Sequence, residues 1–109
     1  MDNISKETVF ALDIGGTFTK LGMVDRNGNI VASNLFNTGA NQAFALFKAQ
    51  LKKELAHLTT SLGSSSSIVA IGIGAPNANF KTGQMIHPPN FKWGSTVPVK
   101  AMVKELLDR

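Results

Sequence analysis

Three short stretches concentrate the residue types that ligand chemistry uses. The first is Asp13-Ile14-Gly15-Gly16-Thr17-Phe18-Thr19-Lys20. A carboxylate closes an apolar run and two glycines follow it. Glycines let a backbone turn sharply and let a ligand come within hydrogen-bond distance of it. Successive N–H groups in such a turn form a nest for anions, and Thr17 and Thr19 add hydroxyl donors. Asp13 suits Mg²⁺ held through water, because Mg²⁺ keeps several waters and needs few carboxylates. These parts together fit nucleotide phosphates. The same residues also fit a plain hairpin turn whose Asp bonds its own loop. The spacing matches neither a Walker A loop nor a Rossmann fingerprint, since no Gly-Lys-Ser/Thr and no helix follow.

The second stretch is Gly72-Ile73-Gly74-Ala75-Pro76-Asn77-Ala78-Asn79. It ends an apolar β-branched run, and loops at the carboxyl ends of buried strands are favoured ligand sites in α/β sheets. Small residues leave room there. Asn77 and Asn79 carry both donors and acceptors, the pairing that sugar hydroxyls require. A strand-ending turn is the plainer reading, because Asn tolerates left-handed φ. The third stretch, His87-Pro88-Pro89-Asn90-Phe91-Lys92-Trp93-Gly94, is stiffened by tandem prolines that would aim Asn90. Trp93 reads as a packing anchor in preference to a binding platform. His87 has no Cys, His or acidic neighbours that would make a metal site.

The elements that must position these stretches follow from periodicity. Val9 to Ile14 reads as a central strand covered on both faces. Thr19 to Val24 and Asn29 to Phe36 read as two further strands, joined through Asp25-Arg26-Asn27-Gly28, an Asn-Gly hairpin signal. Asn41 to Leu58 reads as a helix, with Phe44, Phe47, Leu51, Leu55 and Leu58 on one stripe. Gly63 to Ser67 reads as a helix-to-strand loop, and Ile68 to Ile73 as a buried strand. Asn79 to His87 suggests a small hairpin around Lys81-Thr82-Gly83. Thr96 to Leu107 reads as a final helix with Pro98 in its first turn. The order is an antiparallel meander, then helix, strand, helix, which makes a mixed α/β sheet. Arg109 follows that helix directly, where the alternation calls for another strand, an ending expected of a truncated domain.

Composition narrows the class. The chain has 109 residues, enough for one small domain, and 43% are hydrophobic against 17% charged. The net charge of +4 is scattered, and the seven Phe and one Trp are not interleaved with Arg, so no nucleic-acid footprint is visible. Lys48, Lys52 and Lys53 read as a solvated helix face. There is no Cys, hence no disulfide and no thiolate site. The polar start MDNISKET lacks a signal core, and no apolar run approaches the roughly 20 residues of a membrane span. The expectation is a cytoplasmic protein without membrane or nucleic-acid partners.

The ordered trio DIGGT, GIGAPN and PPNFKWG resembles the ROK family (repressors, open reading frames, kinases), over nearly the whole chain from Val9 to Arg109. The resemblance implies a ribonuclease-H-like, actin-like ATPase fold in which two α/β domains close over ATP and sugar. Residues 1–109 would be part of the first domain, and the second would be absent. It implies an ATP-dependent hexose kinase, of which a glucokinase is the leading form. Asp13, Gly15, Gly16, Thr17, Thr19 and Lys20 would line the phosphate end, with Asp13 toward Mg²⁺. Gly74, Ala75, Asn77, Ala78, Pro89 and Asn90 would lie at or beside the sugar. The family's general base belongs to an Asn-Asp-Ala-Asn type motif that this sequence does not contain, and its zinc ligands belong to the second domain. No catalytic residue is therefore expected here, and the chain alone is expected to be inactive. Phe18 stands where the family is often basic, and Asn77 replaces the glycine of the usual Pro-Gly turn. Family kinases are often dimers through their other half. The rival readings are a sugar-responsive regulator, for which the eight residues before Val9 leave little room for a DNA-binding module, and a non-catalytic sugar-binding or actin-like protein.

Overall fold

The computed structural model describes residues 6–62 and 66–107. Strands β1 (Lys6–Ile14), β2 (Phe18–Asp25) and β3 (Ile30–Asn37) form the expected meander. Helix α1 (Phe44–Leu62) and strand β4 (Ser66–Gly74) follow. β4 lies parallel to β1, so the main sheet has the order β3-β2-β1-β4. A second, small sheet holds β5 (Ala78–Asn79), β6 (Gln84–Ile86) and β7 (Thr96–Val97), and helix α2 (Val99–Leu106) ends the described chain. This is the mixed α/β arrangement anticipated from the residue pattern.

Alternation within the strands decides where the core sits. Phe10, Leu12 and Ile14 of β1 are buried, while Ala11 and Asp13 between them are exposed. The matching β2 residues Leu21 and Met23 join Phe47, Leu51, Leu55 and Leu58 of α1 in one cluster. Each such side chain contributes on the order of 1.5–3 kcal/mol through burial. The stripe read from the sequence is therefore the packing face of α1. A salt bridge from Lys48 of α1 to Glu105 of α2 joins the two helices. The hydrogen bond from Lys48 holds the Glu105 carboxyl below its ordinary value.

Five expectations change. β1 is central in the sheet but not covered on both faces, because Ala11, Asp13 and Lys20 lie on an open face. Among the described residues β4 is an edge strand: Val69 is 57% exposed, and β4 pairs with β1 alone. A near-continuous apolar run shows that both faces suit burial; it does not show what covers them. The first helix starts at Phe44, not Asn41, because a turn closes ahead of it (Gln42 N–H to Gly39 O, 2.9 Å) with Gly39 at φ 69°. The last helix starts at Val99. Thr96 and Val97 instead pair with Ile86 and Met85, as expected of a residue before proline, which is pushed toward extended backbone. The loop read over Gly63 to Ser67 lies partly outside the described residues, and Ser66 and Ser67 begin β4.

The hairpin between β2 and β3 forms at the Asn-Gly signal. Gly28 takes φ 86°, and the Asp25 carboxylate accepts from the Asn27 and Asn29 N–H groups, each at 2.9 Å. The Asn29 backbone bond is the main reason the Asp25 carboxyl sits below its ordinary value of 3.8. A lowered folded-state value means that Asp25 adds stability above about pH 4 and loses it as pH falls through the folded value. The melting temperature of the wild-type chain is expected to drop more steeply than that of Asp25→Asn between pH 5 and pH 2. Parallel melting curves against pH would rule out this contribution.

Candidate functional site

The turn after β1 is built around Gly15. Its N–H donates to Phe18 O at 2.9 Å, and a Cβ on Gly15 would stand 2.7 Å from that same oxygen. Glycine is required there by close approach. Gly16 differs: a Cβ would meet nothing within 4 Å, and the residue is exposed. The fold alone does not demand glycine at 16, so its bare backbone is free for an outside group. Thr17 is exposed beside it.

Asp13 lies one residue before the end of β1, on the open face, cross-strand from Lys20 and level with Gly74 of β4. A Cβ on Gly74 would touch its Oδ1 at 3.4 Å. Asp13 thus stands exposed between the two loops, suited to a cation that keeps most of its waters. Among the described residues no three His, Cys, Asp or Glu side chains cluster as a metal-only cage. A magnesium ion here would depend on phosphate oxygens for further ligands.

Because β1 and β4 are parallel, their carboxyl ends open on the same end of the sheet. The second stretch therefore emerges beside the first. Asn77 is exposed at φ 53°, and its O accepts from Ile86 N–H at 2.9 Å. Its Nδ2 donates to Ile86 O and His87 O, both at 3.1 Å. This ties the third stretch to the second. His87 (φ 44°) and Asn90 (φ 66°) also take left-handed backbone, uncommon for residues other than glycine. Pro88 is buried, which leaves Pro89 and Asn90 exposed beyond it.

Not every candidate lines this end as a free side chain. Thr19 is fully buried; its hydroxyl lies 2.7 Å from that of Thr38. It braces the turn from beneath. The Asn77 amide nitrogen is spent on two carbonyls. Ala75 is half-buried, and Ala78 pairs with Met85 and faces a groove of about 550 Å³ along β4 with Val69, Phe80, Lys100 and Lys104. Asp13, Gly15, Gly16, Thr17 and Gly74 lie at the carboxyl end of β1 and β4, and Pro89 and Asn90 are exposed on the loop that follows His87.

One group of residues has no counterpart among the sequence candidates. Thr38, 2% exposed, donates its hydroxyl to Gly15 O at 2.8 Å, and its N–H donates to Thr17 O at 2.8 Å. Gly39 O accepts from Trp93 Nε1 at 3.3 Å, and Ala40 O accepts from Lys92 N–H at 2.7 Å. The signal was present as a Thr-Gly pair straight after a strand. Trp93 is buried against Phe44, Phe47 and Phe91, with centroids 5.2, 4.6 and 4.7 Å away, which makes it an anchor.

The ROK family model matches residues 9–109. The chain belongs to the ROK family. A ROK family glucokinase from Streptomyces griseus, solved with glucose and AMPPNP, shares its fold at a TM-score of 0.74 and 24% identity, over 93% of this chain and 30% of that one. A glucokinase from Parabacteroides distasonis gives a TM-score of 0.78 at 18% identity, over 99% of this chain and 30% of that one. A ROK family transcriptional regulator homologous to the Escherichia coli MLC protein gives 0.77 at 11% identity, over 99% and 27%. At these identities the likeness is one of fold, and the chain spans about a third of its relatives' length. Comparison with curated protein sequences gives no significant match. No helix among the described residues is long and apolar enough to cross a membrane.

Proposed function

We propose that this ROK chain is the first-domain portion of an ATP-dependent hexose kinase, with glucose as the leading substrate and the sugar 6-hydroxyl as acceptor. One observation carries the reading: the parallel pairing of β1 and β4 brings the DIGGT turn and the GAPN turn to the same end of the sheet, and Asn77 bonds the Ile86 and His87 carbonyls immediately ahead of PPN. The glucose and AMPPNP held by the Streptomyces relative support that choice of ligands. ATP supplies the phosphoryl group. In such transfers the protein contributes mostly positioning and charge stabilisation.

The bare Gly16 backbone and Thr17 would receive phosphate oxygens, with Lys20 nearby, and Asp13 would hold Mg²⁺ through water. Pro89, Asn90 and the small residues Gly74 and Ala75 would face the sugar. The Asn77 Oδ1 keeps acceptor capacity. Thr19 acts through the turn and not on ligand. Residues 1–109 contain no Asn-Asp-Ala-Asn type motif, so the proposed general base lies elsewhere in the intact protein and this chain alone should not turn over. We place that intact protein in the cytoplasm.

The test is ATP-dependent phosphorylation of a hexose panel by the full-length protein, with the 109-residue chain run beside it. The expected result is turnover by the full-length protein, none by the short chain, and a loss of about 10- to 100-fold on Asp13→Asn, the range for outer-sphere metal partners. Turnover by the short chain would overturn the missing-base proposal. The likeness to the regulator favours a second reading, sugar-controlled DNA binding. Operator binding by a full-length protein that phosphorylates no hexose would establish it.

A further inference from the structure

We propose that Thr38-Gly39-Ala40 is a positioning bridge that holds the DIGGT turn and the PPNFKWG loop in one register, so that a change at either loop is felt at the other. The inference rests on the reading of those loops as phosphate-side and sugar-side.

On one side, the Thr38 hydroxyl donates to Gly15 O (2.8 Å) and accepts from the Thr19 hydroxyl (2.7 Å), while the Thr38 N–H donates to Thr17 O (2.8 Å). Two of these bonds fall on the turn that carries Gly16, and the third on Thr19, the second residue of β2. On the other side, Gly39 O and Ala40 O receive Trp93 Nε1 and the Lys92 N–H at 3.3 and 2.7 Å. These lie two and three residues beyond Asn90. The bridge is three residues long, so a shift at Thr38 leaves no slack before Ala40.

Its own conformation is fixed. Gly39 sits at φ 69°, a left-handed backbone that any other side chain would strain. The turn to Gln42 hands the chain on to α1, whose Phe44 and Phe47 pack on Trp93. Thr38 is buried, so its hydroxyl has no water to replace a lost partner. Removing it leaves the Gly15 carbonyl and the Thr19 hydroxyl short of a partner, which costs more than the bond itself gains.

The two sides give a crossed experiment on the full-length protein. Thr38→Val keeps shape and removes the hydroxyl; Thr38→Ser restores it; Trp93→Phe removes the indole donor and keeps a ring. Hydrogen–deuterium exchange is read at the Lys92 and Thr38 amides, and KM is measured for hexose and for ATP. Thr38→Val is expected to speed exchange at Lys92, and Trp93→Phe at Thr38, each by about five- to tenfold, the equivalent of one hydrogen bond. Thr38→Val raises KM for hexose, Trp93→Phe raises KM for ATP, and the double variant loses less than the product of the singles. Thr38→Ser returns each value toward wild type.

Effects confined to the mutated side, with an additive double variant, would overturn the bridge. If no variant phosphorylates any hexose, wild type included, the kinase reading fails. The exchange results then decide the bridge separately: crossed acceleration supports it and local acceleration ends it. If Thr38→Val does not fold, Trp93→Phe reads the same coupling from the opposite side.

Discussion

Gly15→Ala and Gly16→Ala, neighbours in one turn, are expected to fail in different ways. A Cβ on Gly15 would sit 2.7 Å from Phe18 O, and that oxygen is backbone, already held by the Gly15 N–H. The turn must open to admit it. Overpacking of this kind costs about 1–3 kcal/mol, so Gly15→Ala should unfold at clearly lower denaturant. A Cβ on Gly16 meets nothing within 4 Å. Gly16→Ala should keep wild-type stability within about 0.5 kcal/mol, or gain slightly through a less flexible unfolded chain. Its effect belongs to binding. On the proposed phosphate-side role of this turn, the methyl group would stand where phosphate oxygens approach the backbone, and nucleotide affinity in the full-length protein should fall at least about tenfold. Denaturant titration and nucleotide binding, run on both variants, separate the two roles. A Gly16→Ala protein that binds nucleotide as wild type would remove the phosphate-side reading of this turn.

Gly16 also shows how far the sequence could be read. Two adjacent glycines look alike as letters, and only the path of the chain past Phe18 distinguishes the one the fold needs from the one it leaves free. The meander was legible because an apolar alternation and an Asn-Gly pair are local signals. So was α1, since Phe47, Leu51, Leu55 and Leu58 repeat at helical spacing. The candidates that depend on strand phase were harder. Thr17 and Thr19 are both hydroxyls in a glycine turn, but Thr19 is the first β2 residue whose side chain points to the core, and it finds Thr38 there. Thr38 follows a strand by one residue, and nothing local says that it faces Gly15. Asn77 was legible as a left-handed turn residue. Its bonds to the carbonyls of Ile86 and His87 depend on the hairpin that returns the chain beside it.

The open surfaces have a related cause. Ala11, Gly22, Gly72 and Gly74 line the uncovered face of the sheet together with Asp13 and Lys20. An apolar strand with small residues on one side suits a close neighbour on that side. The sequence recorded this suitability, and the expectation of a two-sided burial for β1 and β4 took suitability for occupancy.

Trp93→Ala is expected to give the largest loss of stability of any change near the site. The indole is 8% exposed, and three phenylalanine rings lie within 5.2 Å of its centroid. Removing it from a packed cluster costs about 3–5 kcal/mol, against total stabilities of about 5–15 kcal/mol for domains of this kind. The melting temperature should fall by more than about 10 °C. Trp93→Phe keeps a ring among Phe44, Phe47 and Phe91 and should lose less than half as much. A platform role predicts the reverse: an exposed indole that stacks on ligand would leave stability almost unchanged in Trp93→Ala and lose only affinity. Thermal melts of the two variants therefore decide between anchor and platform without any ligand. The anchor result has a consequence for binding as well. Trp93 holds its loop to Gly39, so its loss should also loosen the exposed Pro89 and Asn90 earlier in that loop and weaken any binding they contribute.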